Sequence, residues 1–249
     1  MAKLTSPPSL QHLVRTWRDS PERTRKVLVN NARSRPIFSY APLHVAIREM
    51  LVLGVPYHQV VEYVRRAEKR ADFAKILLEI LPIIRRHLDG VSPDFFQDVA
   101  PRSYALAPDI IIPFQPPVVY GIGGQLTLPW CIFWRKNPLA GKPLSLFMTL
   151  VDEILMEDPD LETATFQLLD FSIPKDERER QLSIRDGREL PRLSIAERDD
   201  MLGIWAEGFR QAQVEMAGMR DEPKDRQPEE RAGDGQGDLF GNGGFRGEP

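Results

Sequence analysis

Val118-Val119-Tyr120-Gly121-Ile122-Gly123-Gly124-Gln125-Leu126-Thr127-Leu128-Pro129-Trp130-Cys131-Ile132-Phe133-Trp134 decides how this chain is read. Two apolar, β-rich runs stand on either side of a glycine cluster, which is the pattern of two strands joined by a tight turn. Gly121-Ile122-Gly123-Gly124 lacks the further glycine and the opening helix of a phosphate-binding loop, so a hairpin turn is the better account. Upstream, Asp109-Ile110-Ile111-Ile112-Pro113-Phe114 reads as another short strand, and downstream so does Thr165-Phe166-Gln167-Leu168-Leu169-Asp170-Phe171. Between them, Leu144 to Met156 is apolar enough for a buried helix or a strand, and periodicity does not separate the two. Arg185-Asp186-Gly187-Arg188 carries a tight-turn signal, and Ser194-Ile195-Ala196-Glu197 has the spacing of a capping box, opening a helix to about Met219.

Before Gly90 the period is helical. Ser9 and Ser20 are N-cap candidates, the second followed by Pro21 at the first helical position, and Pro42 precedes an apolar run from Leu43 to Leu53. Gly54-Val55-Pro56 breaks that run. A long helix is expected from Tyr57 to Leu88, with Val60, Val64, Ala67, Ala71, Ala74, Leu78 and Leu81 forming one stripe, a kink at Pro82 and an end at Gly90. The expected class is therefore α+β: an N-terminal helical region, then a small mixed sheet closed by a C-terminal helix, then a disordered tail. The corresponding divisions are 1–98 for the basic helical region, 99–219 for the α+β domain and 220–249 for the tail, whose Asp, Glu, Lys, Arg, Pro, Gln and Gly content offers too little apolar area to offset the entropy of ordering.

The chain of 249 residues, 42% hydrophobic and 28% charged, is long enough to bury a core without disulfides. Its single cysteine, Cys131, sits in an apolar run and reads as a buried thiol. No signal-peptide core opens the sequence and no stretch approaches the roughly twenty apolar residues of a membrane span, so a cytoplasmic location away from membranes is expected. The net charge of −3 conceals an asymmetry. Residues 1–90 hold 16 Lys and Arg against 8 Asp and Glu, whereas the remainder holds 17 against 28. Such a split is a hint of a polyanion partner, such as DNA, at the basic end, beside the plainer reading of a solvated helical surface rich in Arg and Lys.

Within the tail, Gln236-Gly237-Asp238-Leu239-Phe240 places two large apolar side chains side by side among glycines. A peptide of that kind offsets its ordering cost by inserting both side chains into a pocket on another molecule. It resembles the Gln-x-Asp/Ser-Leu-Phe peptide by which bacterial polymerases, mismatch-repair proteins and some plasmid initiators dock on the replication sliding clamp. The resemblance implies that Leu239 and Phe240 fill the clamp's apolar pocket, that Gln236 hydrogen-bonds at a neighbouring subsite and that Asp238 takes the small or acidic position. Gly237 departs from the leucine often found there, which implies a weaker affinity. The likeness covers five residues and implies nothing about the body.

Two further readings concern the body. Met50-Leu51-Val52-Leu53-Gly54-Val55 followed by Val60 has the glycine and apolar spacing of a DNA-binding helix-turn-helix, although Met50 is bulky where a small residue is expected. The second helix carries Arg65, Arg66, Lys69 and Arg70 as phosphate contacts. Pro108-Asp109 before an apolar run resembles the opening of metal-dependent PD-(D/E)xK nucleases, with Asp170 as a second strand-end carboxylate holding Mg²⁺. The Glu-x-Lys half is missing: Lys136 is preceded two positions earlier by Trp134, and Asp152-Glu153 has no lysine at the required offset. Outside that reading no cofactor is expected. His12, His44, His58 and His87 have no zinc spacing, Ser145 and Ser172 have no histidine nearby in sequence, and Asp152, Glu153, Glu157, Asp158, Asp160 and Glu162 read as a solvated helix end.

Overall fold

A computed structural model describes Leu4, residues 6–34 and residues 38–218. Five helices come first: α1 (Leu10–Thr16), α2 (Pro21–Arg33), α3 (Ala41–Val52), α4 (Tyr57–Ala67) and α5 (Ala71–Leu88). Strands β1 (Phe95–Gln97), β2 (Arg102–Ala107), β3 (Ile110–Phe114), β4 (Val119–Ile122) and β5 (Gln125–Ile132) follow, then α6 (Lys142–Met156), β6 (Thr165–Asp170), β7 (Ser183–Asp186), a 3₁₀ turn at Gly187–Glu189 and α7 (Ile195–Gly218). The class is α+β. The stretch around Gly123-Gly124 forms the β4–β5 hairpin, with Ile122 opposite Gln125 and both Gly123 and Gly124 at positive φ (59° and 80°), the twist a two-residue loop between antiparallel strands demands.

The main sheet has the order β1-β4-β5-β6-β7, with β5 and β6 parallel and the other neighbours antiparallel. That parallel pair settles the ambiguous segment. A chain returning to the same end of a sheet needs a long crossover, and Lys142–Met156 makes it as a helix with every residue from Leu144 to Val151 buried. Strands β2 and β3 form a separate hairpin. Phe114 of β3 stacks on Trp130 of β5, and Phe147 of α6 packs against the same indole, so hairpin and crossover helix share one face of the sheet. Residues of opposite parity face the other way: Phe133, just past β5, meets Tyr40, His44 and Phe171. One apolar core runs from Leu10 to Met216, through the helical and the sheet regions alike.

The C-terminal helix is capped as its sequence requires, for Ser194 Oγ accepts the Glu197 N–H (3.3 Å) while the Glu197 carboxylate accepts the Ser194 N–H (3.1 Å). It lies against α2 so closely that a Cβ on Gly208 would meet the Pro21 carbonyl oxygen at 2.7 Å. Trp205 Nε1 donates to Thr16 Oγ1 (3.0 Å) and Arg25 pairs with Glu215, so the two ends of the described chain are joined.

Three sequence expectations need correction. The helix from Tyr57 to Leu88 is two helices, because Glu68 turns extended and its carboxylate accepts from the Arg70 backbone N–H (3.0 Å) and guanidinium, a local alternative to the helical ladder. The buried stripe restarts there: Ala67 and Ala71 are exposed, and α5 turns inward with Leu77, Ile80, Leu81 and Ile84, running on through Pro82. Arg185-Asp186-Gly187-Arg188 is the end of β7 entering a 3₁₀ turn, and Gly187 serves close packing, since a Cβ would sit 2.8 Å from the Phe166 carbonyl oxygen. Strands β1 and β2 carry no clear sequence signal, being short runs set off by Pro93, Pro101 and Pro108.

Candidate nucleic-acid interface

Helices α3 and α4 are joined by Leu53, Gly54, Val55 and Pro56. Gly54 has φ +59°, where a side chain is strained, and both the Leu53 and Val55 N–H groups close on the Glu49 carbonyl (3.2 and 3.1 Å). Val60 and Val64 enter the core and leave His58, Gln59, Glu62, Arg65 and Arg66 on the opposite, exposed side of α4. A short glycine-containing turn thus joins two packed helices, a connection that helical hairpins and helix-turn-helix motifs share. Met50 is partly buried against the core, so the site that favours a small residue here holds a flexible one.

The expected phosphate contacts cluster at the far end of α4. Arg65 Nη1 donates to Glu62 (2.9 Å), Arg66 Nε donates to the Glu62 carbonyl (3.2 Å), and Lys69 is exposed in the break. Arg70 holds Glu68 through Nε and Nη2 (2.8 and 2.7 Å) and lies over the Phe73 ring at 4.3 Å. The hydrogen bonds from Arg70 draw the Glu68 carboxyl down to about 2. Arg85, near the end of α5, lies over the Tyr57 ring at 4.5 Å, so the two helices run in opposite directions and Arg85 stands beside the start of α4. Arg86 is exposed next to it. Neither was singled out in the sequence, because their relation to α4 is made only by the fold.

The nuclease carboxylates are not assembled. Asp109 lies in the β2–β3 turn and receives Arg210 from α7 (3.0 and 2.8 Å), whose hydrogen bonds hold its carboxyl below the usual range. Asp170 ends β6 in the other sheet and accepts from Asn137 Nδ2 (2.6 Å) and the Ser172 N–H (2.9 Å). Lys136 is exposed in the loop after β5, and Trp134 is buried. Among the described residues no group of three or more His, Cys, Asp or Glu is placed to hold a metal ion.

Of the acidic segment, Glu157, Asp160 and Glu162 are exposed, but the other three carboxylates are engaged. Asp152 pairs with Arg192, Glu153 with Arg198 and with the Tyr104 hydroxyl (2.9 Å), and Asp158 with Arg102, so that α6 is bound to α7 and β2. Burial, with the hydrogen bond to Glu153 second, pushes the Tyr104 phenol up to about 12. The histidines are dispersed: His12 meets Trp134 edge-on, His44 is pressed on Phe133 with its imidazole drawn down to about 4 by burial, His58 is exposed and His87 is half-buried. Ser145 Oγ faces the Gly141 carbonyl (3.4 Å). Burial raises the Cys131 thiol to about 12.

Arg180 gave no sequence signal, lying in a polar loop. It is buried and donates through Nη1 to the carbonyls of Phe133 (2.8 Å), Trp134 (3.2 Å) and Phe171 (3.0 Å), with Glu79 of α5 at 3.8 Å, so it holds the ends of β5 and β6 to the helical layer. Gln236, Asp238, Leu239 and Phe240 lie outside the described residues. No protein-family model matches the chain, and no curated protein matches its sequence.

Proposed function

We propose that the protein is an accessory factor of bacterial DNA replication, repair or a mobile element, docking on the sliding clamp through Gln236, Asp238, Leu239 and Phe240 and resting its basic helical region on DNA. The observation that carries this reading is the pentapeptide itself, Gln236-Gly237-Asp238-Leu239-Phe240, placed in a Gly-, Pro- and charge-rich segment that supplies no core for Leu239 and Phe240. The excess of Lys and Arg in residues 1–90 supports the second half. A tether raises the local concentration of the body near DNA, so that contact through Arg65, Arg66, Lys69 and Arg70 suffices at low intrinsic affinity. The same peptide serves a helper of the fork or an inhibitor that competes with polymerases for the pocket. Among the described residues no helix is long and apolar enough to cross a membrane.

The test is fluorescence anisotropy of a labelled peptide covering residues 233–244, titrated with purified bacterial sliding clamp, beside a peptide carrying Leu239→Ala and Phe240→Ala. Saturable binding that the double substitution abolishes supports the reading. Equal binding of both peptides, or none at concentrations where known clamp peptides saturate, overturns it.

A further inference from the structure

We infer that α4 is a groove-entering helix: it reads base edges of double-stranded DNA with His58, Gln59 and Glu62, between two cation clusters that grip the flanking phosphates. This deepens the proposed DNA role of the body and is independent of the clamp peptide.

The geometry has three parts. Helix α4 is the outer member of the α3–α4–α5 group: only Val60 and Val64 are fully buried, Tyr57, Val61 and Tyr63 are partly so, and the remaining positions face solvent. Along that outer face the chemistry changes with position. Arg85, held over the Tyr57 ring, stands at the N-terminal end with Arg86 the exposed residue after it on α5, while Arg65, Arg66 and Lys69 stand at the C-terminal end, with Arg70 beyond. His58, Gln59 and Glu62 lie between, and none of the three is a permanent cation. With side chains a helix is about as wide as a major groove about 12 Å across, so α4, eleven residues and about 16 Å long, lies along the groove with its exposed face to the floor while the cations near its two ends reach backbone phosphates.

The side chains in the middle suit that floor. A glutamine can bond adenine through two atoms, a glutamate can accept from the cytosine amino group, and an exposed histidine donates to purine acceptors. The Arg65–Glu62 pair is exposed and of low worth in water, so Glu62 and Arg65 can exchange each other for base and phosphate without a large penalty. An acidic protein surface would satisfy the cations but leave Glu62 opposed by like charge, which favours a duplex whose floor presents donors as well as acceptors.

The experiment uses the full chain, without clamp, on a pool of randomised duplexes with selection and sequencing of the bound fraction. The expected result is an enriched motif. Gln59→Ala or His58→Ala then relaxes the preference at one base position by about 5- to 150-fold and leaves the salt dependence unchanged. Lys69→Ala and Arg85→Ala weaken binding to all sequences alike, each reducing the slope of log K against log salt by about 0.9. All four positions are exposed, and unchanged circular dichroism establishes folding of each variant. The inference is overturned by an unenriched pool, by a motif that survives both His58→Ala and Gln59→Ala, or by equal binding to single strands or to a simple polyanion. Failure here leaves the clamp titration untouched, and failure of the titration leaves this result standing.

Discussion

The closeness of α2 and α7 makes one helix its own control. Alanine in a helix interior is more favourable than glycine by about 1 kcal/mol. At Gly203 a Cβ would have no atom within 4 Å and the residue is exposed, so Gly203→Ala is expected to raise stability by about that amount. At Gly208 the same atom would lie 2.7 Å from the Pro21 carbonyl oxygen, 2.8 Å from Thr24 Cβ and 2.9 Å from its Cγ2, whereas ordinary contacts between carbons begin near 3.5 Å. The neighbours are unable to give way singly. Pro21 is the first residue of α2, and Thr24 is fully buried, its Oγ1 accepting from the Arg18 N–H (3.1 Å). Helix α2 must therefore move away from α7 as a unit. Overpacking of this kind costs about 1–3 kcal/mol, so after the gain in propensity Gly208→Ala is expected to lose about 0–2 kcal/mol, where Gly203→Ala gains. Urea denaturation followed by far-ultraviolet circular dichroism reads both variants against the parent. Midpoints that rise alike for Gly203→Ala and Gly208→Ala would refute the close packing of α2 on α7.

Other consequences follow from buried groups. Because burial draws the His44 imidazole down to about 4, the unfolded chain gains its proton near pH 6.5 and the folded chain only near 4. The resulting stability is full above pH 6.5 and lost as the pH falls toward 4, with a slope of at most about 1.4 kcal/mol per pH unit; His44→Phe should flatten that window, and parallel stability curves for the two proteins would contradict it. Arg180→Met removes the donor shared by three carbonyls inside the core and is expected to cost about 3 kcal/mol with loss of near-ultraviolet signal, whereas an unchanged unfolding midpoint would show that Arg180 carries no such role. Ser194→Ala takes one arm from the capping box of α7 and should cost about 1 kcal/mol in the same denaturation assay.

What could be read from the sequence was chemistry that is local. Ser20 caps α2 by accepting from Arg23, Ser194 and Glu197 cap α7, and Gly123-Gly124 turns β4 into β5, each within a few residues. The break at Glu68 was hidden because the helical period of Val60 and Val64 continues in sequence through Ala67 and Ala71, while the event that stops the helix is a side chain bonding to the backbone two residues on. Leu144–Met156 could not be assigned from its own residues; it is a helix because β5 and β6 are parallel, a fact about its neighbours. The site shows the same division. Arg65, Arg66, Lys69 and Arg70 are visible as a basic run, but Arg85 comes from α5 and meets α4 at Tyr57, and Arg180 acts through backbone carbonyls that no sequence pattern marks. Asp109 was plausible as a metal ligand until Arg210, from the far end of the chain, is seen to occupy it.

The clamp reading is tested most directly by surface plasmon resonance of the full chain over immobilised bacterial sliding clamp, with the peptide of residues 233–244 as competitor. Saturable binding is predicted, displaced by the peptide and abolished by Leu239→Ala with Phe240→Ala, while circular dichroism of the substituted protein is unchanged. Absence of binding by the parent chain, or binding that survives the double substitution, would contradict the account.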